Sequence, residues 1–231
     1  KGALSVIAAC AVAGLIVGTV TLTGLGLKFA DLIVALSMGS IYPALVMTML
    51  ASILMGMGMP TTALYIILGA MVAPALVKLN VPVIAAHLFI FYFGCMASVT
   101  PPVALSSYLA AAIARADSVK TAMQGLKLAS SAFIFPFIFA ISPALILFET
   151  SFFPALVAFI TALLGVTALS GCLENYLWGR LGPIKRIFLG AAALCLMIPE
   201  WHTDTAGFLV LLAVVLSNIS IRRKEMRSKK M

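Results

Sequence analysis

From Leu32 to Val77 the chain carries no charged side chain, and after Lys78 a second charge-free stretch runs from Leu79 to Ala114. Each stretch is broken once, the first at Gly56-Met57-Gly58-Met59-Pro60-Thr61-Thr62 and the second at Ser98-Val99-Thr100-Pro101-Pro102. The apolar pattern predicts a span from about Leu4 to Leu25, then a short segment from Lys28 to Met38 at an interface. Next come two arms, Tyr42 to Met57 and Thr62 to Val77, and a helix with a non-helical middle, Val83 to Ala97 and Val103 to Ala114. A span from Leu126 to Phe148, bent by Pro136 and Pro143, precedes three more: Pro154 to Gly171, Ile187 to Pro199 and Ala206 to Ile221. These runs approach or exceed the roughly 20 residues a helix needs to cross hydrocarbon, unlike the short alternating strands of a membrane barrel. The expected fold class is all-α, a polytopic membrane protein.

Sixteen residues at 1.5 Å each give an arm of roughly 24 Å, short of a roughly 30 Å hydrocarbon core. Two short arms around a glycine-rich break predict a re-entrant hairpin over about 42–77; one continuous span is the alternative, long for a single helix of ordinary tilt. Backbone that leaves the helix at membrane depth loses intrahelical hydrogen bonds and persists where protein or a hydrated cavity supplies new partners. Two such breaks on consecutive elements point to an ion or substrate site.

At the first break Gly56 and Gly58 admit backbone angles closed to other residues, and Pro60 suits the start of a helix. Carbonyls ending the first arm are then unpaired. With the hydroxyls of Thr61 and Thr62 they form hard oxygen ligands for an alkali cation, aided by the negative end of the helix dipole. At the second break Pro101 and Pro102 are expected to leave carbonyls near Ala97 and Ser98 without donors, and Ser98 and Thr100 add hydroxyls. The candidate cation ligands are therefore Gly56, Gly58, Thr61, Thr62, Ser98 and Thr100. Half-helices expected to begin at Pro60 and Pro101 would turn their positive ends inward, so Pro60, Thr61, Pro101 and Pro102 are the candidates for an anionic substrate group. The competing reading makes each break a kink filled by neighbouring side chains.

Composition turns this pattern into a membrane protein: 63% of the 231 residues are hydrophobic and 10% charged, with a mean hydropathy of +1.19, too little polar surface for a water-soluble chain of this length. The net charge of +8 does not imply nucleic acid, because the cations gather in short loops and at the end. If the tail after Arg222 is cytoplasmic, then Arg115 to Lys127 and Glu174 to Arg186 are cytoplasmic too, and Glu149 to Phe153 and Glu200 to Thr205 external, so every strongly basic loop falls inside. The tail can also touch anionic headgroups. Cys10, Cys95, Cys172 and Cys195 lie in or beside apolar runs without metal-ligand spacing and read as small hydrophobes. No n-region precedes the first apolar run, and Lys1 is expected to begin in the middle of a longer polypeptide.

Gly14 and Gly18, four apart, allow close helix approach but read first as ordinary packing. His87 lacks a carboxylate in its span and reads as a packed histidine rather than a proton carrier; His202 falls in a polar external loop. Phe133, Phe135, Phe137 and Phe139 read as lipid-facing packing. No nucleophile, base and orienter group together, and no phosphate loop is present, so an enzyme is not expected. A membrane scaffold with dry kinks is the rival to a transporter.

Leu54-Met55-Gly56-Met57-Gly58-Met59-Pro60-Thr61-Thr62-Ala63, Ala86-His87-Leu88-Phe89-Ile90-Phe91-Tyr92-Phe93 and Thr100-Pro101-Pro102-Val103-Ala104 resemble the large membrane subunit of tripartite ATP-independent periplasmic (TRAP) transporters. They are most similar to the fused permeases that work with TAXI-type binding proteins. Thr21-Leu22-Thr23-Gly24-Leu25-Gly26 adds to a resemblance that covers about Gly2 to Phe148. It implies a multi-pass permease of the bacterial inner membrane, whose C-terminus the basic loops put on the cytoplasmic side. Such a permease imports organic anions, commonly carboxylates, with sodium as coupling ion and no other cofactor, by an elevator-like movement. It implies as partners a periplasmic binding protein, an N-terminal half, and a small membrane subunit or its fused equivalent. On this pattern residues 1–148 are the C-terminal one of two inverted repeats, with one sodium site between the hairpin tip and the broken helix. Residues 149–231 are an appended membrane region. Proton coupling is the alternative to sodium.

Overall fold

The computed structural model describes residues 2–147, 150–177, 179, 181–197 and 201–228, with the side chains of 2–6, 9, 143 and 219–228 left aside. The expected roles of Lys1, Glu149, Arg180, Glu200 and the basic side chains from Arg222 onward thus lie outside the described residues. All regular structure among the described residues is helical. Contacts divide the chain after Ile141 into two compact units.

In the first unit α1 (Gly2–Thr23) and α2 (Leu25–Leu36) meet at a bend of 74°. Gly24 makes the corner with φ +65°, a left-handed angle that glycine adopts without a Cβ clash. The expected interfacial segment is therefore a helix in its own right. It starts at Leu25, and it packs on α4 (Thr61–Met71) and α5 (Ala73–Lys78). A Cβ on Gly26 would lie 2.7 Å from the Ala70 carbonyl oxygen, so glycine is what lets α2 approach this backbone. Lys78 at the end of α5 pairs with Asp31 of α2; both side chains are substantially exposed, which makes the pair worth at most about 1 kcal/mol. Helix α1 packs on α4 through Ala13, Ala63 and Ile67, whereas Gly14 and Gly18 have nothing within 4 Å.

The predicted hairpin is α3 (Ile41–Gly56), a tight connection, and α4 continued by α5. The second arm divides at Val72 because Pro74 opens the next helix and lacks the N–H that would continue the ladder. Thr61–Lys78 together give 18 residues, long and apolar enough by length and composition to cross. The predicted broken helix is α6 (Val83–Met96), a non-helical stretch, and α7 (Leu105–Ala114). Helices α3 and α4 both pack on α6.

Beyond α7 the structure departs from several expectations. The supposed loop from Arg115 to Lys127 contains an amphipathic helix, α8 (Ser118–Leu128). Asp117 caps it by accepting the Lys120 N–H at 2.8 Å, an N-cap that satisfies one of the helix's orphan donors. The supposed span from Leu126 to Phe148 is cut into a 3₁₀ turn (Ser130–Phe133), α9 (Phe135–Ile141) and a second 3₁₀ turn (Pro143–Ile146), since prolines at 136 and 143 remove ladder donors. Nor do Phe133, Phe137 and Phe139 face lipid, Phe139 being buried beside Tyr92. Phe137 meets Phe89 and Phe93 at ring-centroid distances of 5.4 and 5.8 Å, and Phe133 meets Phe93 at 6.1 Å, forming an aromatic core against α6.

The second unit holds α10 (Phe152–Glu174), α11 (Pro183–Met197) and α12 (Trp201–Ser228). Ala155, Ala158, Ala162, Gly165, Ala168 and Gly171 recur every three or four residues on α10 and are all buried, a small-residue seam that lets backbones approach. A Cβ on Gly165 would lie 3.1 Å from the Ala193 carbonyl, and one on Gly207 3.1 Å from that of Ala192. Asn218 of α12, 4% exposed, donates its amide to the carbonyls of Leu177 (2.6 Å) and Gly179 (3.2 Å), which ties down the link between α10 and α11. The expected external loop over Glu200 to Thr205 is corrected as well: α12 already begins at Trp201, and His202 stacks on Trp201 within its first turn, centroids 4.1 Å apart.

Candidate functional site

The two breaks meet. Gly56, the last residue of α3, sits so close to the end of α6 that a Cβ on it would lie 2.7 Å from the Ala97 Cβ and 2.9 Å from the Gly94 carbonyl oxygen. Gly94 in turn faces Leu64 of α4, whose Cδ2 a Cβ on it would meet at 2.7 Å. Two helices therefore end against each other. Each contributes the negative end of its dipole, equivalent to about half an elementary charge, in a region without a charged side chain in the sequence.

The chain connecting α3 to α4 is built from residue chemistry. Met57 is extended, Gly58 takes φ +79°, and Pro60, at φ −61°, stands at the N-cap of α4 without a side-chain cap bond. The Met57 N–H reaches the Leu54 carbonyl at 3.4 Å and is the one donor beyond α3 recorded on its last turn among the described residues, so acceptor capacity is left there. Thr61 and Thr62 open α4 and are exposed, and their hydroxyls make no hydrogen bond among the described residues. Their amides, with that of Ala63, precede the first intrahelical donor, the Leu64 N–H to the Pro60 carbonyl at 3.0 Å. That leaves a set of donors at the positive end of the helix.

The second break is closed more fully than the sequence suggests. The carbonyls of Ala97 and Ser98, expected to be without donors, accept from the N–H groups of Thr100 (3.3 Å) and Ser106 (3.0 Å). The chain folds back on itself after the prolines, and the Tyr108 hydroxyl seals the turn by donating to the Pro102 carbonyl at 2.7 Å. Helix α7 begins at Leu105, after Ala104 in the left-handed region, so the half-helix end expected at Pro101 is displaced by four residues. The Ser98 and Thr100 hydroxyls donate to the carbonyls of Cys95 and Met96, each at 2.8 Å. Their protons are thus directed into their own helix and the oxygen lone pairs remain available to a cation.

Sequence reasoning found both breaks but missed their floor, Gly94, Ala97 and Leu64. A glycine inside an aromatic-rich helix, Phe93-Gly94-Cys95, was the available signal. It also missed the tie between His87 and Tyr65, whose hydroxyl and ring Nδ1 lie 3.0 Å apart, with Tyr65 also edge-on to Phe91; this joins α4 to α6 behind the site. An open cavity of about 490 Å³ is lined by residues of the second unit, Cys172, Asn175 and Arg186 among them, and holds none of the break residues.

No curated protein and no solved structure matches this chain. A family model described as the tripartite ATP-independent periplasmic transporter, DctM component, matches residues 1–156. That range takes in both breaks and their floor, and the chain belongs to this family as a permease component of a TRAP transporter.

Proposed function

We propose that this chain is the membrane permease component of a sodium-coupled secondary transporter of the bacterial inner membrane that imports organic anions, carboxylates in the first place, delivered by a periplasmic binding protein. The observation that carries the proposal is the meeting of Gly56 with Gly94 and Ala97. It sets two helix C-termini side by side and flanks them with hydroxyl oxygens, a chemistry suited to an alkali cation without a carboxylate. In this reading Gly56 and Gly58 present backbone carbonyls, and Thr61, Thr62, Ser98 and Thr100 present hydroxyl oxygens. The substrate's carboxylate takes the donors at the start of α4, around Pro60 and Thr61, with Pro101 and Pro102 shaping the opposite wall.

Family membership supports the binding-protein partner and further membrane components, and the resemblance to fused TAXI-type permeases supports reading residues 1–148 as one of two inverted repeats moving elevator-fashion. The basic loops support a cytoplasmic C-terminus. The test is uptake by the intact transporter with Ser98→Ala and Thr100→Ala together, and with Thr61→Ala and Thr62→Ala together. The sodium concentration for half-maximal uptake rises at least severalfold in both. Unchanged sodium dependence in both pairs overturns the assignment, and a loss of dependence on pH instead of sodium assigns protons as the coupling ion.

A further inference from the structure

The open cavity of the second unit lies beyond the residues that the family model matches. Its volume of about 490 Å³ falls within the roughly 300–1,000 Å³ usual for a small-molecule site. Cys172 and Asn175 reach it from the end of α10, and Pro183, Arg186, Ile187 and Gly190 from the start of α11. The polar groups among them are a guanidinium and an amide.

The guanidinium is held in place. Arg186 donates its Nε–H to the Cys172 carbonyl at 2.7 Å, and the Cys172 thiol donates back to the Arg186 carbonyl at 3.2 Å. One edge of the planar group is thereby fixed, while its remaining N–H groups have no partner among the described residues. A fork restrained in this way suits two oxygens of one phosphate, which it can meet with parallel charge-assisted bonds. Asn175 adds an exposed side-chain amide at the same cavity. It stands in the left-handed region at φ +56°, and its backbone carbonyl accepts the Leu181 N–H at 3.2 Å. The neighbouring Lys185 ammonium is closed to solvent, so Arg186 supplies the accessible charge at this wall.

An apolar path leads away from the charge. Ile187 both lines the cavity and is exposed, and Ile184, Phe188 and Leu194 continue an exposed stripe on the same side of α11. From Ile187 to Leu194 the helix rises about 10 Å, a stretch that hydrocarbon can cover. A phosphate with acyl chains matches both parts, whereas a free anion uses only the first. Charge favours the same ligand: from Glu174 to Arg186 three cations stand against one carboxylate, and basic pockets beside membrane helices on the cytoplasmic side attract anionic headgroups.

We propose that the cavity between the end of α10 and the start of α11 binds the phosphate headgroup of an anionic phospholipid, through Arg186 and Asn175, with an acyl chain along Ile187 and Leu194. The site lies wholly in the second unit and needs neither sodium nor the transported anion, so it stands apart from the transport reading.

Hydrogen exchange on the purified full chain tests it, in nanodiscs of phosphatidylcholine alone or with phosphatidylglycerol added. With the headgroup bound, phosphatidylglycerol slows exchange over residues 181–190 severalfold and leaves α8, a basic surface helix of the other unit, much less affected. Arg186→Gln loses most of this lipid-dependent slowing. Asn175→Gly, which keeps the left-handed turn without the amide, loses about half of it. Comparing the two lipids within each variant separates binding from any loosening caused by the lost Cys172 contact. Absent slowing, or slowing kept in full by both variants, overturns the proposal. Equal slowing of α8 shows general attraction to an anionic surface, and equal slowing by inorganic phosphate in pure phosphatidylcholine shows a free-anion site; either overturns the lipid assignment. If Arg186→Gln fails to fold, Arg186→Lys, which keeps the charge without the fork, decides together with Asn175→Gly, and is expected to lose most of the slowing.

Discussion

Replacing Gly56 by alanine adds one methyl at the point where the two breaks meet. It would lie 2.7 Å from the Ala97 Cβ, 2.9 Å from the Gly94 carbonyl oxygen and 3.1 Å from Leu64 Cδ2. The Leu64 methyl can rotate away, but Ala97 Cβ and the Gly94 carbonyl are fixed to α6, so the helix ends must separate by several tenths of an ångström. Overpacking of this kind costs about 1–3 kcal/mol. The better helix propensity of alanine returns at most about 1 kcal/mol, and less at a last helical residue. The net loss of about 1–2 kcal/mol lowers the unfolding temperature by roughly 2–8 °C for a chain of this size. The assay is thermal unfolding of the purified protein, paired with the upward shift that saturating sodium produces if the proposed cation site is right; the variant then loses part of that shift because the two carbonyl ends no longer face one cation. Adding Ala97→Gly removes the shortest contact and restores part of the loss, leaving the 2.9 Å approach to Gly94. Gly58→Ala is the contrasting case: nothing lies within 4 Å of it, but φ is +79°, so the cost of about 1–2 kcal/mol is backbone strain that Ala97→Gly does not relieve. A Gly56→Ala protein with unchanged unfolding temperature and unchanged sodium response would refute the meeting of α3 with α6.

Asn218→Ala leaves the Leu177 and Gly179 carbonyls without their side-chain donor and destabilises the second unit by about 1–3 kcal/mol, read as faster amide exchange over residues 175–182 while α3 and α6 stay protected. Tyr65→Phe removes the hydrogen bond to His87 Nδ1 but keeps the edge-on ring contact with Phe91; the loss is about 0.5–1.5 kcal/mol, and an equal loss in the His87→Ala background would contradict the pairing in a double-mutant cycle.

The hairpin and the broken helix were legible because glycine and proline punctuate a charge-free background at Gly56 to Pro60 and at Pro101-Pro102, and nothing competes with that signal. What periodicity could not show was how the breaks close. The donors to Ala97 and Ser98 come from Thr100 and Ser106, a fold-back set by tertiary geometry and invisible in residue order. The phenylalanines of the bent segment after Leu126 were misread because uniform hydropathy hides whether they meet lipid or, as here, Phe89 and Phe93. Helix α8 was legible in retrospect from Asp117-Ser118, an N-cap pair passed over because its lysines suggested only a loop. The meeting of Gly56 with Gly94 and Ala97 needed the register of α3 against α6, which neither sequence contains alone.

The direction of two protons has a chemical consequence. Because Ser98 and Thr100 commit their hydroxyl hydrogens to Cys95 and Met96, this wall offers lone pairs and no donors, and it repels carboxylate oxygens as surely as it attracts a metal ion. The start of α4 adds what this wall lacks, free N–H groups at Thr61, Thr62 and Ala63 beside the two threonine hydroxyls. On the proposed reading, cation and anion are sorted by hydrogen polarity rather than by charged side chains, and a substitution that turned either hydroxyl outward would erase the distinction without altering the net charge of the protein.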